Sequence, residues 1–424
     1  MIISEIANGV EGCYIKSNKF KTSSISVNMF IPADEKAVSA YSLLYLILTD
    51  STKDYPDYTS LNKALKNLYN ASLFGGIQKF GDMRLVKFGI SVLDDNFTLF
   101  GETISSKAAD LLLGVIFNPL IENGKFNNRV FENNKRILID QINAQINEKR
   151  GYAISNTEKA MFEGEPASIQ NYGTVKTVES LTNEDIVAAH KYLLQNAFVR
   201  INVISQNKSE KVFDRFKEYF LPLSRNVEKK NFTCFHKTKG EVKHLEEKMN
   251  VTQGKLCLGF SFDIGETRQS VANAAVFVDV FGGGPYSKLF TNVREKQSLC
   301  YYCAARLNSK KGTFIVDSGI LEENKQKAYD GILEQLEQIK SGNITEDEVN
   351  SSKIAIADTL GAYNDQTATL DSWYVLSTFN DGETIEDYTK LIKNVSVSDV
   401  IKIANSVKLD TVYFLGKAKE ENND

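Results

Sequence analysis

The chain has 424 residues, 42% hydrophobic and 25% charged; that is about two to three times the usual length of one domain, so two domains are expected. Fifty Lys plus Arg against 54 Asp plus Glu give a net charge of −4, which argues against a phosphate-tracking nucleic-acid binder and against a polybasic membrane-surface protein. Three histidines (His190, His236, His244) leave little room for imidazole-based metal chemistry, and five thinly spread cysteines do not make a secreted disulfide framework.

In chain order, Met1 to Glu5 lacks the basic and apolar regions of a signal peptide, and the odd cysteine count fits a reducing compartment. A soluble, cytoplasmic protein is expected. The longest apolar stretch, Ala40 to Leu48, is far short of the roughly 20 residues that span a bilayer, and Tyr41 to Leu48 reads as an apolar helix with a structural role. Phe88 to Val92 reads as a strand and Phe131 opens a helix. Thr182 with Asp185 forms a capping box before an amphipathic helix, and Phe198 to Ile204 alternates as a strand. The polar, Lys-rich stretch 222–240 reads as a linker.

Beyond it the script repeats. Ser396 and Asp399 repeat the cap and Thr411 to Gly416 repeat the strand; Phe314 to Ser318 answers Phe88 to Val92, and the helix at Val349 answers the one at Phe131. Between them, Tyr329, Ile332, Leu333, Leu336 and Ile339 form the apolar stripe of a long helix. The reading is an α+β fold of two similar halves, 1–221 and 241–424, each a mainly antiparallel sheet with helices packed on one face.

Several chemical motifs fail on spacing. His244 begins an H-x-x-E stretch but Lys248 stands where a second histidine belongs, and Cys234, His236, His244 and Cys257 match no compact zinc pattern. Cys300-Tyr301-Tyr302-Cys303 has C-x-x-C spacing, yet lies where a strand begins and has no second pair, so buried strand cysteines are the favoured reading. Phe281-Gly282-Gly283-Gly284-Pro285 lacks the pattern of a phosphate-binding loop and reads as a turn between helices, its glycines allowing positive φ or close backbone approach. No G-x-S-x-G nucleophile elbow occurs.

The run from Phe281-Gly282-Gly283-Gly284 through Ser287-Lys288-Leu289-Phe290-Thr291-Asn292-Val293-Arg294 to Tyr301 resembles the second-half signature of the pitrilysin/insulinase zinc peptidases, the family of the mitochondrial processing peptidase. Gly173 with Val178 to Asp185 is similar to a first-half stretch of that family, so the resemblance covers essentially the whole chain. Active members carry H-x-x-E-H and a later Glu that bind zinc, the Glu of the motif serving as general base. The resemblance puts Ser42, Tyr45 and Leu46 at the motif positions and Gln141, beside Asp140, at the third-ligand position. It therefore implies a homologue with a degenerate zinc site and no cofactor of its own, most like bacterial inactive subunits, some named for elongation factor P modification.

Arg294 and Tyr301 match the Arg and Tyr that active enzymes direct at substrate; the alternative is a helix ion pair and a half-buried strand aromatic. The expected function is a non-catalytic subunit of a heterodimeric zinc peptidase, with a paralogous H-x-x-E-H chain and a peptide or unfolded polypeptide as partners, and neither nucleic acid nor membrane. The alternatives are a non-enzymatic peptide-binding or scaffold protein, including a homodimer, and a chain that hydrolyses peptides with its own zinc.

Overall fold

Six strands of the first half, β1 Ile2–Ala7, β2 Val10–Lys16, β3 Thr22–Pro32, β4 Ser72–Phe80, β5 Met83–Leu93 and β6 Phe198–Ser205, form one sheet in the computed structural model, which describes residues 1–380 and 382–418. The order is β1-β2-β6-β3-β5-β4, and only β2 and β6 run parallel. Strand alternation sets its two faces. Ile25, Val27, Met29 and Ile31 of β3 and Val199, Ile201 and Val203 of β6 enter a large apolar core shared with the helices Glu35–Asp50 and Ile104–Phe117.

The second half gives β7 Lys243–Met249, β8 Gly254–Ser261, β9 Cys300–Asn308, β10 Thr313–Ile320 and β11 Lys408–Lys417, in the order β9-β10-β8-β11-β7, with β11 and β7 the parallel pair. With β1 set aside, the two sheets have one topology, and β2 to β6 correspond in chain order to β7 to β11. The repeat in the sequence is thus a repeat in hydrogen bonding. Both capping boxes form, Thr182 with Asp185 before the helix Asn183–Asn196 and Ser396 with Asp399 before Val397–Ser406. Each satisfies N–H groups that the first helical turn cannot. The second core centres on Phe260, Phe277, Phe281 and Phe314, with the Phe260 and Phe314 rings stacked at 4.7 Å.

Contacts divide the molecule into a first unit of 1–143, 169–232 and 363–383 and a second of 144–168, 233–362 and the chain from 384 onward. Each unit thus contains one segment from the other half of the sequence. In the first unit that segment supplies the helix Thr367–Leu376, which lies on the sheet face opposite the main core. Its Asp371, 1% exposed, accepts from Ser26 Oγ and Asn202 Nδ2, both at 2.8 Å, and pairs with Lys87 Nζ at 2.5 Å. In the second unit the helix Lys149–Met161 packs through Ala153 beside Cys257, Tyr413 and Leu415. A Cβ at Gly259 would lie 3.0 Å from the Met161 sulfur, so the bare glycine lets this helix lie close to β8. Here the polarity is reversed: the helix carries the cation, and Arg150 meets Asp317 of β10 at 2.5 Å. The expected helices on one face of each sheet are present, and among the described residues one helix on the opposite face of each is added to them.

The stretch 222–240 forms no regular element but is held by hydrogen bonds. Arg225 donates to the carbonyls of Asn8, Leu194 and Ala197, and the Val227 amide donates to Asn8 Oδ1 at 2.7 Å. Among the described residues no helix is long and apolar enough to cross a membrane.

Candidate functional site

The helix Glu35–Asp50 begins at Asp34, whose carboxylate accepts the Ala37 amide at 3.0 Å, and every residue from Val38 to Leu48 is buried or half-buried. The three positions that the sequence resemblance sets against H-x-x-E-H are all used for packing or local bonding. Ser42, 3% exposed, donates to the Val38 carbonyl at 2.8 Å. The Tyr45 ring packs on Phe88 with centroids 5.4 Å apart, and burial holds its hydroxyl above the usual phenol range. Leu46 is partly buried against the main core. On the helix Asn128–Ala144, Gln141 and Asp140 are both exposed.

These donors do not fit zinc. An aliphatic side chain offers no lone pair, a neutral half-buried phenol and an amide are poor ligands, and the Ser42 hydroxyl is already committed. Nor does any group of three or more His, Cys, Asp or Glu side chains among the described residues have an arrangement that could hold a metal ion.

The histidines are accounted for singly. His190 is buried, its Nε2 is 2.7 Å from the Ile116 carbonyl, and burial lowers its pKa. His244 is exposed on β7. His236, 7% exposed, has Nδ1 2.6 Å from Glu165 and Nε2 3.1 Å from Asp410, while Lys311, 1% exposed, pairs with Glu165 at 2.7 Å. Burial opposes the charge on His236, but the hydrogen bonds to Asp410 and Glu165 and their charges outweigh it and raise the pKa to about 9. This cluster was not read from the sequence, because Glu165, His236 and Asp410 lie on distant segments and match no spacing rule.

In the second unit, the helix Arg268–Gly282 ends in the glycine run. None of Gly282, Gly283 and Gly284 has positive φ, so the run answers to close approach: a Cβ at Gly282 would lie 2.7 Å from the Ala305 amide nitrogen of β9. The chain then forms a π-helix over Leu289–Lys296, a winding that is rare and often marks functional sites. Arg294 stands in its last turn. Its guanidinium lies over the Phe290 ring at 4.4 Å, Nε donates to the Tyr301 carbonyl at 3.0 Å, and the nearest carboxylate, Glu295, is 4.0 Å from Nη1.

Tyr301 is the extra residue of a β-bulge, since Cys300 pairs with Ile320 and Tyr302 with Gly319. The residue is 59% exposed. The Tyr301 carbonyl therefore fixes the Arg294 side chain while the Tyr301 ring faces solvent, and the two residues present a guanidinium and a phenol from one short stretch of surface. The same bulge changes the alternation so that Cys300 and Cys303 share a face. The hydrogen bond between their thiols lowers the pKa of Cys300, aided by the charge of Arg294, and raises that of Cys303 well above the usual thiol range. Cys303 is buried, Cys300 half-buried, and both are free thiols.

The Peptidase M16 inactive domain model matches residues 180–356. The chain is 29% identical over 415 residues to "Probable inactive metalloprotease YmfF" of Bacillus subtilis (strain 168), covering 96% of each chain. A crystal structure of a conserved protein from Enterococcus faecalis V583 superposes with a TM-score of 0.90 at 24% identity, covering 99% of both chains. That of a peptidase M16 inactive domain from Pseudomonas fluorescens superposes at 0.78 with 15% identity, also covering 99% of both. These likenesses agree with the pitrilysin/insulinase resemblance seen in the sequence.

Proposed function

We propose that this chain, which is similar to M16 metallopeptidases of the inactive type, serves as the non-catalytic subunit of a two-chain zinc peptidase. In this reading a paralogous chain supplies H-x-x-E-H and the zinc, and this chain supplies part of the peptide-binding surface. Arg294 donates hydrogen bonds to the peptide backbone or a carboxylate, and the Tyr301 hydroxyl donates to the oxygen that gains charge during hydrolysis.

The observation that carries the reading is the contrast between the two halves. The aligned zinc positions are built into packing, with Ser42 bonded to Val38 and Tyr45 against Phe88. Arg294 and Tyr301 are instead held together and exposed, with side chains 38% and residue 59% accessible respectively. A protein that only packed a chamber wall would gain nothing from leaving them so.

The test is to purify this chain and a similar-sized H-x-x-E-H paralogue separately, mix them, and follow cleavage of a fluorogenic peptide. Cleavage by the mixture and not by this chain alone supports the proposal. A mixture no more active than the paralogue alone, with this chain self-associating, favours the scaffold or homodimer reading.

A further inference from the structure

At the start of the helix Lys149–Met161, a cavity of about 560 Å³ opens in the second unit, lined on one side by this helix and on the other by the turn between β7 and β8. Two cations lie on one aromatic ring there: the Arg150 guanidinium is 4.2 Å and the Lys255 ammonium 5.5 Å from the Tyr302 centroid. Lys149 joins them in the lining.

The charges are unequally answered. Arg150 is paired with Asp317 at 2.5 Å. Lys255 donates only to the neutral Gln253 Oε1 at 2.6 Å, and Lys149 Nζ has a thioether, Met249 Sδ, at 3.7 Å. Among the described residues neither lysine has a carboxylate at ion-pairing distance. The one acid lining the cavity, Glu148, accepts the Gly151 amide at 2.6 Å as the helix cap. The hydroxyl of the same Tyr302 is buried with no hydrogen-bond partner. Gathering like charges on a concave, partly dehydrated surface is unfavourable without a counter-charge. Burial first, and then the charge of Arg150, lower the pKa of Lys255, against the opposing charges of Glu148 and Asp317, which do not come within ion-pairing distance of it. The positive end of the helix macrodipole adds to the same potential.

We propose that this cavity is an oxyanion site that takes a carboxylate or phosphate group between Lys149 and Lys255, with Arg150 and the helix start behind it. The site is separate from Arg294 and Tyr301 and does not depend on the peptidase reading. Ion-paired hydrogen bonds to two ammonium groups in a recessed site give an anion more than it has in water, where exposed pairs contribute little.

The experiment is isothermal titration calorimetry on the full chain at low ionic strength, with three probes: inorganic phosphate, a short peptide with a free C-terminal carboxylate, and its C-terminal amide. Binding of phosphate or of the free acid, absent for the amide, is expected; which of the two binds identifies the source of the oxyanion. Lys149→Met and Lys255→Met should each weaken it about tenfold, and Lys255→Arg should stay near wild type. Unfolding midpoints of the variants show whether each is folded, and Lys149→Met, at a half-exposed position, serves if Lys255→Met is not. Failure of both oxyanions to bind, or equal binding by wild type and the lysine variants, overturns the site.

Discussion

Replacing His236 with Gln removes a buried cation from between two carboxylates, and its effect depends on pH in a direction fixed by the structure. In the folded chain the imidazole titrates at about 9, against 6.5 for the free side chain. Below pH 6.5 the ring is protonated in both states and the Glu165–His236–Asp410 clamp contributes fully. As pH rises from 6.5 through 9 the unfolded ring is already neutral, the folded ring loses its proton, and the contribution disappears. The span from 6.5 to about 9 corresponds to about 3 kcal/mol. Urea unfolding of wild type and His236→Gln at pH 6 and pH 9.5 measures it, since Gln cannot titrate and other groups cancel in the comparison. The wild type's advantage should shrink by about 2–3 kcal/mol between the two pH values. An advantage that stayed constant or grew with pH would refute the assignment of a protonated clamp.

Two further outcomes follow from the buried polar face and the glycine turn. Asp371→Asn leaves Lys87 without its charge partner beneath the helix Thr367–Leu376, and should lower the unfolding free energy by about 3–5 kcal/mol in a denaturant titration. Gly282→Ala places a Cβ 2.7 Å from the Ala305 backbone nitrogen, so the helix Arg268–Gly282 must move away from β9, at a cost of about 1–3 kcal/mol in the same assay.

The repeated elements were legible because they are local. A capping box, a strand alternation and a helical stripe are each written in fewer than about 20 consecutive residues, and all form where the sequence places them. Ser42, Tyr45 and Leu46 stand in one apolar helical run that is equally local, and the structure adds what each side chain does there. What the sequence did not show depends on distant partners. Asp371 reads as an ordinary helical acid until Ser26, Asn202 and Lys87 surround it, and no linear pattern assigns residues 144–168 and 363–383 to their units. The π-helix and the bulge at Tyr301 have no sequence rule, yet they hold Arg294 to the Tyr301 carbonyl and turn Cys300 and Cys303 to one face. His236, dismissed with the other histidines as a metal ligand, carries a structural charge instead.

The most direct test of the central claim is kcat/KM for peptide cleavage by the reconstituted pair when only this chain is altered. With Arg294→Ala and, separately, Tyr301→Phe, subunit association should be unchanged while kcat/KM falls about tenfold or more, as for loss of a charge-assisted or oxyanion-directed hydrogen bond. Full activity with both variants would contradict the account.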